Sequence, residues 1–362
     1  MNGHRLLIIN PGSTSTKVAL FEGSTLISGE ALHHDAATLA AYDRILDQLP
    51  ARKERVLQFL AWGPMPANTL SAVVGRGGLL PPMEGGVYLV DDALVSALRE
   101  RGEGHASSLG ALIAREIANP LGIPAFTVDP VTTDEFESIA RYTGLPEVQH
   151  RSIFHALNQK AVARRAARDL GVDYTECNLI VVHLGGGISV GGHRRGRVVH
   201  VANALEGEGP YSPERSGGLP NTSLVNMCYS GQCTLAEVRK KIAGRGGLVA
   251  HLGTNSLFDV ENKIAGGDEY ARLCYEGMAY QVAKEIGRVA CALSGDVDAI
   301  ILTGGAANSR MLVDWITDRV KFISKVLVYP GEAEMDALAD AGLRVLAGVE
   351  DAKRICEGGG GA

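Results

Sequence analysis

The chain opens on a continuous apolar run, Leu6-Leu7-Ile8-Ile9, inside a strand predicted at residues 5–9. Pro, Gly, Ser and Thr at residues 11–16 break the run as a turn. A second strand is predicted at 17–21, a turn at 22–24 and a third strand near 25–29, so the chain starts as a β-meander. Between residues 38 and 62, Leu39, Ile45, Leu46, Leu49, Val56, Leu57 and Leu60 recur at helical spacing, with a break at Pro50. Strands are expected at 71–75, 87–90 and 125–128. Helices are expected at 91–101, 106–118 and 133–142, with Asp91 and Thr133 as N-caps. A basic, Ala-rich helix then spans 153–170 and stops at Gly171.

The opening pattern now returns. A strand at 178–183, a Gly-rich turn at 184–188, a strand at 189–193, a turn at 194–196 and a strand at 197–202 repeat the first meander. A period this long marks a duplicated domain, since solenoid repeats are far shorter. Helices follow near 234–243, 257–264 and 270–293. A strand at 298–302 then meets Gly304-Gly305 and a further helix, and a strand at 325–329 leads to a last helix near 332–341. The reading is therefore α/β with two lobes, one formed by residues 1–152 together with about 335–362, the other by 153–334. A length of 362 residues suits two domains. Each lobe begins with a hairpin whose turn offers backbone N–H groups and hydroxyls, which suits a phosphate ligand lying in a cleft between the lobes.

Composition narrows the partners. Hydrophobic residues make up 46% and charged residues 21%, which is ordinary for a chain with a real core. The 35 basic and 41 acidic residues give a formal net charge of 35 − 41 = −6, against a protein that coats nucleic acid but not against a small anionic ligand. No apolar run approaches the ~20 residues of a membrane span, and Asn10, Pro11 and Gly12 interrupt any secretory apolar segment. Six cysteines form no CxxC pair and have no histidine at zinc-site spacing, so they read as reduced thiols of a cytoplasmic protein.

Three Gly-rich or hydroxyl-rich segments carry the candidate chemistry. In Asn10-Pro11-Gly12-Ser13-Thr14-Ser15-Thr16-Lys17, Gly12 permits close backbone approach, the hydroxyls donate to phosphate oxygens and Lys17 supplies charge; an ordinary solvated hairpin turn has the same composition. His183-Leu184-Gly185-Gly186-Gly187-Ile188-Ser189 lets the chain wrap a phosphate chain. It is a poor dinucleotide fingerprint, because a strand follows the glycines where a helix belongs. Leu302-Thr303-Gly304-Gly305-Ala306-Ala307-Asn308 runs from strand to helix and suits adenosine or its α-phosphate, or is simply a tight turn.

Residues 10–17, read as Asn-x-Gly-Ser-Thr-Ser-x-Lys, with Val181-Val182-His183-Leu184-Gly185-x-Gly187-x-Ser189, resemble the acetate and butyrate kinase family of the actin-like ATPase superfamily. Further matching segments include Gly75-Arg76-Gly77-Gly78, His105-Ala106-Ser107, Val128-Asp129-Pro130-Val131, the Arg151–Lys160 stretch, residues 203–210, Ser212-Pro213-Glu214-Arg215-Ser216-Gly217 and Tyr329-Pro330-Gly331-Glu332. They run in order along nearly the whole chain and favour the butyrate branch. The resemblance implies duplicated actin-like ATPase (ribonuclease-H-like) domains flanking a nucleotide cleft. It implies ATP/ADP and Mg2+ as cofactors, and a short-chain fatty acid or acyl phosphate as partner, in a homodimer or larger homo-oligomer. By resemblance, Asn10, Ser13, Ser15 and Lys17 form the first phosphate segment, and His183, Gly185, Gly186 and Gly187 the second. Gly304, Gly305 and Asn308 sit at the nucleotide. Arg76 and Arg215 flank the transferred phosphoryl group, His155 contacts it, and His105 is a further active-site histidine. Asp129 lies near magnesium, with Glu332 or Glu334 completing the metal shell.

The implied reaction is transfer of the ATP γ-phosphate to butyrate, giving butyryl phosphate and ADP. Isobutyrate, valerate, propionate and acetate are alternative acceptors, and a non-catalytic ATP-binding module is a further reading. The attacking carboxylate is already ionised and needs no base, so catalysis rests on positioning and charge neutralisation. For the choice of acid, Gly77 and Gly78 beside Arg76 are expected to leave room in the acyl pocket. Two extra methylenes at ~0.8 kcal/mol each would favour butyrate over acetate by roughly tenfold.

Overall fold

The computed structural model describes residues 3–101, 106–203 and 205–355. The chain divides into two compact units, Met1–Thr133 with Ala333–Ala362, and Asp134–Glu332. The sequence pattern puts the changes of lobe at 152 and near 335; the compact units change over after Thr133 and after Glu332.

The first unit contains β1 (Arg5–Pro11), β2 (Ser15–Glu22), β3 (Thr25–His33), α1 (Ala36–Ala40), α2 (Leu49–Trp62), β4 (Ala72–Gly75), β5 (Val87–Leu89), α3 (Asp92–Arg101), α4 (Ser108–Leu121) and β6 (Ala125–Val128). Its sheet has the order β3-β2-β1-β4-β6-β5. The meander is antiparallel, β1-β4-β6 is parallel, and β5 closes the edge antiparallel to β6. Leu6 to Ile9 are all fully buried, as expected of a strand covered on both faces. Leu7 and Ile9 join a core with side chains of α2, α3 and α4.

Pairing of Pro11 with Thr16 leaves residues 12–15 between them, closed by the Gly12 N–H donating to the Ser15 carbonyl at 2.7 Å. That turn is held from beneath. The buried stripe of α2 runs Arg52, Val56, Phe59, Leu60, and Arg52 is 0% exposed. Its guanidinium donates to the carbonyls of Gly12 (2.9 Å), Ser15 (3.2 Å) and Ser13 (2.9 Å), to Thr16 Oγ1 (3.2 Å) and to Gln48 Oε1 (3.1 Å). Thr16 Oγ1 also lies 2.9 Å from His34 Nε2. Burial, and then the charge of Arg52, lowers the His34 pKa to about 4, so this imidazole is neutral near pH 7.

The second unit repeats the plan. It holds α5 (Ala156–Asp169), β7 (Asn178–Leu184), β8 (Ile188–Arg194), β9 (Arg197–Val201), α6 (Asn221–Tyr229), α7 (Leu235–Ile242), α8 (Gly247–Leu252), α9 (Leu257–Ala265), α10 (Glu269–Ala292), β10 (Ala299–Gly304), α11 (Arg310–Val320) and β11 (Val326–Pro330). The order β11-β10-β7-β8-β9 matches β6-β4-β1-β2-β3 strand for strand, with the same parallel and antiparallel pairs. Ile180 and Val182 pack with the long α10, through Met278, Val282 and Ile286. Leu179 and Val181 pack with Ala163 and Ala166 of α5. After β11 the chain returns to the first unit as α12 (Glu334–Leu346), which packs against β1 and β4.

The duplication is as the sequence pattern indicates. The helix expected at 133–142 is not formed; only a single 3-10 turn, Ser138–Arg141, stands there. Glu135 is buried instead, its two oxygens each 2.8 Å from Lys160 Nζ, and it accepts the Val198 N–H at 2.7 Å. Asp134 takes a two-pronged pair with Arg141. Glu135, with its partners on α5 and β9, holds its part of the segment out of a helix, Asp134 pairs within the segment, and Thr133 bridges Met83 in place of capping a helix. Helices α6 and α8 go beyond the sequence reading. Among the described residues no helix is long and apolar enough to cross a membrane.

Two outcomes follow. Glu135→Ala leaves the buried Lys160 ammonium unpaired and should cost about 3–5 kcal/mol of stability, read by urea unfolding; a loss within experimental error would contradict the buried pair. His34 binds a proton more weakly folded than unfolded, so its contribution is present above pH 6.5 and is lost as pH falls toward about 4. Melting temperature should therefore fall less steeply over that window in His34→Gln than in the parent, and identical slopes would show that His34 does not titrate this way.

Candidate functional site

In the first unit, Asn10, Arg76 and Glu334 form one hydrogen-bonded group. Asn10, at the end of β1, donates from Nδ2 to Glu334 Oε2 at 2.7 Å and accepts at Oδ1 from Arg76 at 3.3 Å. Arg76, just past β4, donates to Glu334 Oε2 at 2.9 Å. Three residues distant in sequence meet because β1, β4 and the N-terminus of α12 converge. Asp129 ends β6 and is buried, with a φ of +36°. That left-handed backbone is uncommon outside glycine, though aspartate adopts it more readily than most residues. Gly86 fixes it, donating its N–H to Asp129 Oδ1 at 2.7 Å and accepting the Asp129 N–H at 3.1 Å. Ser13 and Ser15 point their carbonyls down to Arg52, while Lys17 is exposed on β2 opposite Asn10. His105 lies outside the described residues.

In the second unit, His155 is the N-cap residue of α5 and its ring stacks on that of His183, centroids 3.9 Å apart and planes 14° off parallel. His183, on β7, has Nδ1 2.8 Å from Asn158 Oδ1 and Nε2 3.3 Å from Glu332 Oε1. Beside them is the Gly185-Gly186-Gly187 turn. The Gly186 carbonyl accepts from Ser212 Oγ (2.5 Å) and from the Glu214 N–H (3.3 Å), which seats the 212–215 loop on the turn. Arg215 then lies directly over Gly187, where any Cβ would overlap its guanidinium. Burial pulls the Arg215 pKa down and Glu214 opposes this; a guanidinium remains a cation regardless. Gly304 ends β10, Gly305 begins a 3-10 turn, and Asn308 folds back to donate to the Gly305 carbonyl at 2.9 Å. Helix α11 begins only at Arg310 and is capped by Ser309, so the glycines do not sit at its N-terminus.

Glu332 and Glu334, alternatives in the sequence, have separate surroundings: Glu332 belongs with His183 and Glu334 with Arg76. Gly77 and Gly78 differ from expectation. A Cβ on Gly77 would come within 2.7 Å of Thr127 Oγ1, and one on Gly78 would overlap Ser108. The volume that a side chain would occupy there is filled by neighbouring protein, so these glycines serve close packing of α4 and β6 and do not open an acyl pocket. Sequence reasoning also passed over Arg52, whose signal is a charge on the apolar stripe of an amphipathic helix.

Comparison with known proteins agrees with the geometry. Residues 147–352 match the model of the acetokinase family. The chain is 50% identical over 351 residues to butyrate kinase 2 of Clostridium acetobutylicum, covering 97% of this chain and 99% of the relative. Among solved structures it is similar in fold to acetate kinase of Porphyromonas gingivalis, with TM-score 0.79, 20% identity and coverage of 95% of this chain and 100% of that one. It is similar also to a propionate kinase of Francisella tularensis subsp. tularensis SCHU S4, with TM-score 0.72, 18% identity and coverage of 93% and 98%. The two sheets are thus those of the acetate kinase fold, of actin-like ATPase type, and with half its residues shared end to end with a curated relative, the chain belongs to the acetokinase family.

Proposed function

We propose that this chain is a butyrate kinase, transferring the ATP γ-phosphate to the carboxylate of butyrate to give butyryl phosphate and ADP, reversibly. The observation that carries this reading is the 50% identity along the whole chain to a butyrate kinase. Residue chemistry supports it. Butyrate is ionised at neutral pH and attacks without a base, so the enzyme must position it and neutralise charge on the phosphoryl oxygens. Arg76 and Arg215 supply that charge from fixed positions, one held by Asn10 and Glu334, the other laid over Gly187. His155, stacked on His183, offers a ring N–H to a phosphoryl oxygen. The turn at residues 12–15, above the buried Arg52 cation, suits phosphate through N–H and hydroxyl groups, and the glycine turn of β7-β8 suits it through N–H groups.

Magnesium fits the donor set. Among the described residues no group of three or more His, Cys, Asp or Glu side chains could hold a metal by itself. An ion carried mainly by nucleotide phosphates takes one or two protein carboxylates. Asp129 and one of Glu332 and Glu334 would hold it, and the ion supplies further neutralisation of the terminal phosphates. Other short acids are the second reading, favoured by the propionate and acetate kinases that share the fold.

An acyl-hydroxamate assay with acids of two to five carbons should show kcat/KM highest on butyrate, roughly tenfold above acetate from two buried methylenes. Equal or better turnover of acetate would reject butyrate, and no product with any acid despite ATP binding would reject the kinase. Arg76→Lys should lower kcat by about 10²–10³, because an ammonium cannot reproduce the planar fork of donors; a rate near the parent's would remove Arg76 from the transfer step.

A further inference from the structure

Behind His155 a line of buried polar side chains runs into the second unit. Ser189 Oγ is 2.8 Å from His155 Nδ1, Gln159 Nε2 is 2.9 Å from Ser189 Oγ, His193 Nε2 is 3.0 Å from Gln159 Oε1, and the Tyr174 hydroxyl is 2.8 Å from His193 Nδ1. Gln159, Ser189, His193 and Tyr174 are all buried. A glycine makes the space: a Cβ at Gly191, on β8, would overlap Gln159 Oε1. Nothing in the transfer reaction uses Gln159, His193 or Tyr174 directly.

One backbone group identifies the two ends of the Gln159 amide, and the directions of its neighbours follow from their own partners. Gln159 Nε2 lies 3.1 Å from the Ser189 carbonyl oxygen, which can only accept. That end of the amide is therefore the NH2 group, and the other end is a carbonyl oxygen. His193 must then carry its proton on Nε2 to donate to Gln159. Full burial, together with the nearby Lys160 and Arg164 charges, keeps His193 neutral, so its Nδ1 is bare and accepts from Tyr174. At the other end, buried Ser189 Oγ has two partners among the described residues, Gln159 Nε2, which can only donate, and His155 Nδ1, so His155 Nδ1 is the acceptor within reach of the hydroxyl proton.

We propose that Gln159, His193 and Tyr174 are positioning residues that hold His155 as the tautomer with a bare Nδ1 and its proton on Nε2. The donors then run in one direction, from Tyr174 through His193, Gln159 and Ser189 to His155, and His155 presents an N–H at its far nitrogen. A neutral N–H aimed at a phosphoryl oxygen stabilises the transfer without trapping the product as a tight ion pair. The contact of His155 with that oxygen rests on the kinase reading above; the tautomer does not.

The test uses the full chain labelled with 15N-histidine, with the His155 signals identified by their loss in His155→Gln. Long-range proton–nitrogen spectra should show Nδ1 as an unprotonated, pyridine-type nitrogen and Nε2 as a protonated one. A protonated Nδ1 in the parent overturns the proposal. Gln159→Leu removes the donor that orients Ser189, so the His155 tautomers should mix and kcat should fall about tenfold, the loss of one hydrogen bond, with KM for ATP unchanged. An unaltered tautomer in folded Gln159→Leu also overturns it. His193→Gln keeps an N–H facing Gln159 and should restore the parent spectrum, whereas His193→Leu should not. If Gln159→Leu does not fold, the parent spectrum alone decides. A chain inactive on every short acid yet showing the Nε2–H tautomer would defeat the kinase reading and support this one; an active kinase with a protonated Nδ1 would do the reverse.

Discussion

A turn that binds phosphate must aim its N–H groups outward, and its carbonyls are then left facing the protein. Burying a carbonyl without a donor costs about 1–3 kcal/mol, so each such turn needs donors supplied from behind. Both hairpin turns meet this requirement, by different means. Beneath residues 12–16, one guanidinium serves three carbonyls and a hydroxyl. At Gly186, a serine hydroxyl and a backbone N–H from the 212–215 loop serve one carbonyl. The remainder of each site is arranged around these supports: Thr16 and His34 are fixed by Arg52, and Arg215 reaches Gly187 because its loop is already seated.

The two solutions differ electrostatically. Arg52 brings a positive charge under the first turn and meets only neutral acceptors there. Its field therefore adds to that of Lys17 at any phosphate held above. The second turn is served by a cation above, Arg215, partly offset by Glu214. Duplicated frames thus carry distinct charge patterns.

Much of this was legible in the sequence. The duplicated meander showed itself because continuous apolar runs broken by Gly, Ser and Thr are local signals, and the match of segments along the chain led to the family. What was hidden depends on distant partners. The segment at 133–142 read as a helix because Lys160, which pairs with Glu135 inside the protein, lies 25 positions away. Helix α6 has no buried residue and so no apolar stripe to detect. The stacking of His155 on His183 requires α5 and β7 to be packed together before it exists. Arg52 did leave a trace, as a lone charge where an amphipathic helix should be apolar.

Gly77 and Gly78 have a consequence for how acceptor preference can change over evolutionary time. Around them the α4 backbone comes so close that a Cβ on Gly110 would sit 2.5 Å from the Arg76 carbonyl oxygen. Contacts made backbone to backbone cannot be adjusted one methyl group at a time; any added carbon forces the helix itself to shift. Selection acting beside Arg76 therefore meets a threshold and not a slope. A change of side chain at these glycines therefore moves the backbone before it can reshape any space around Arg76.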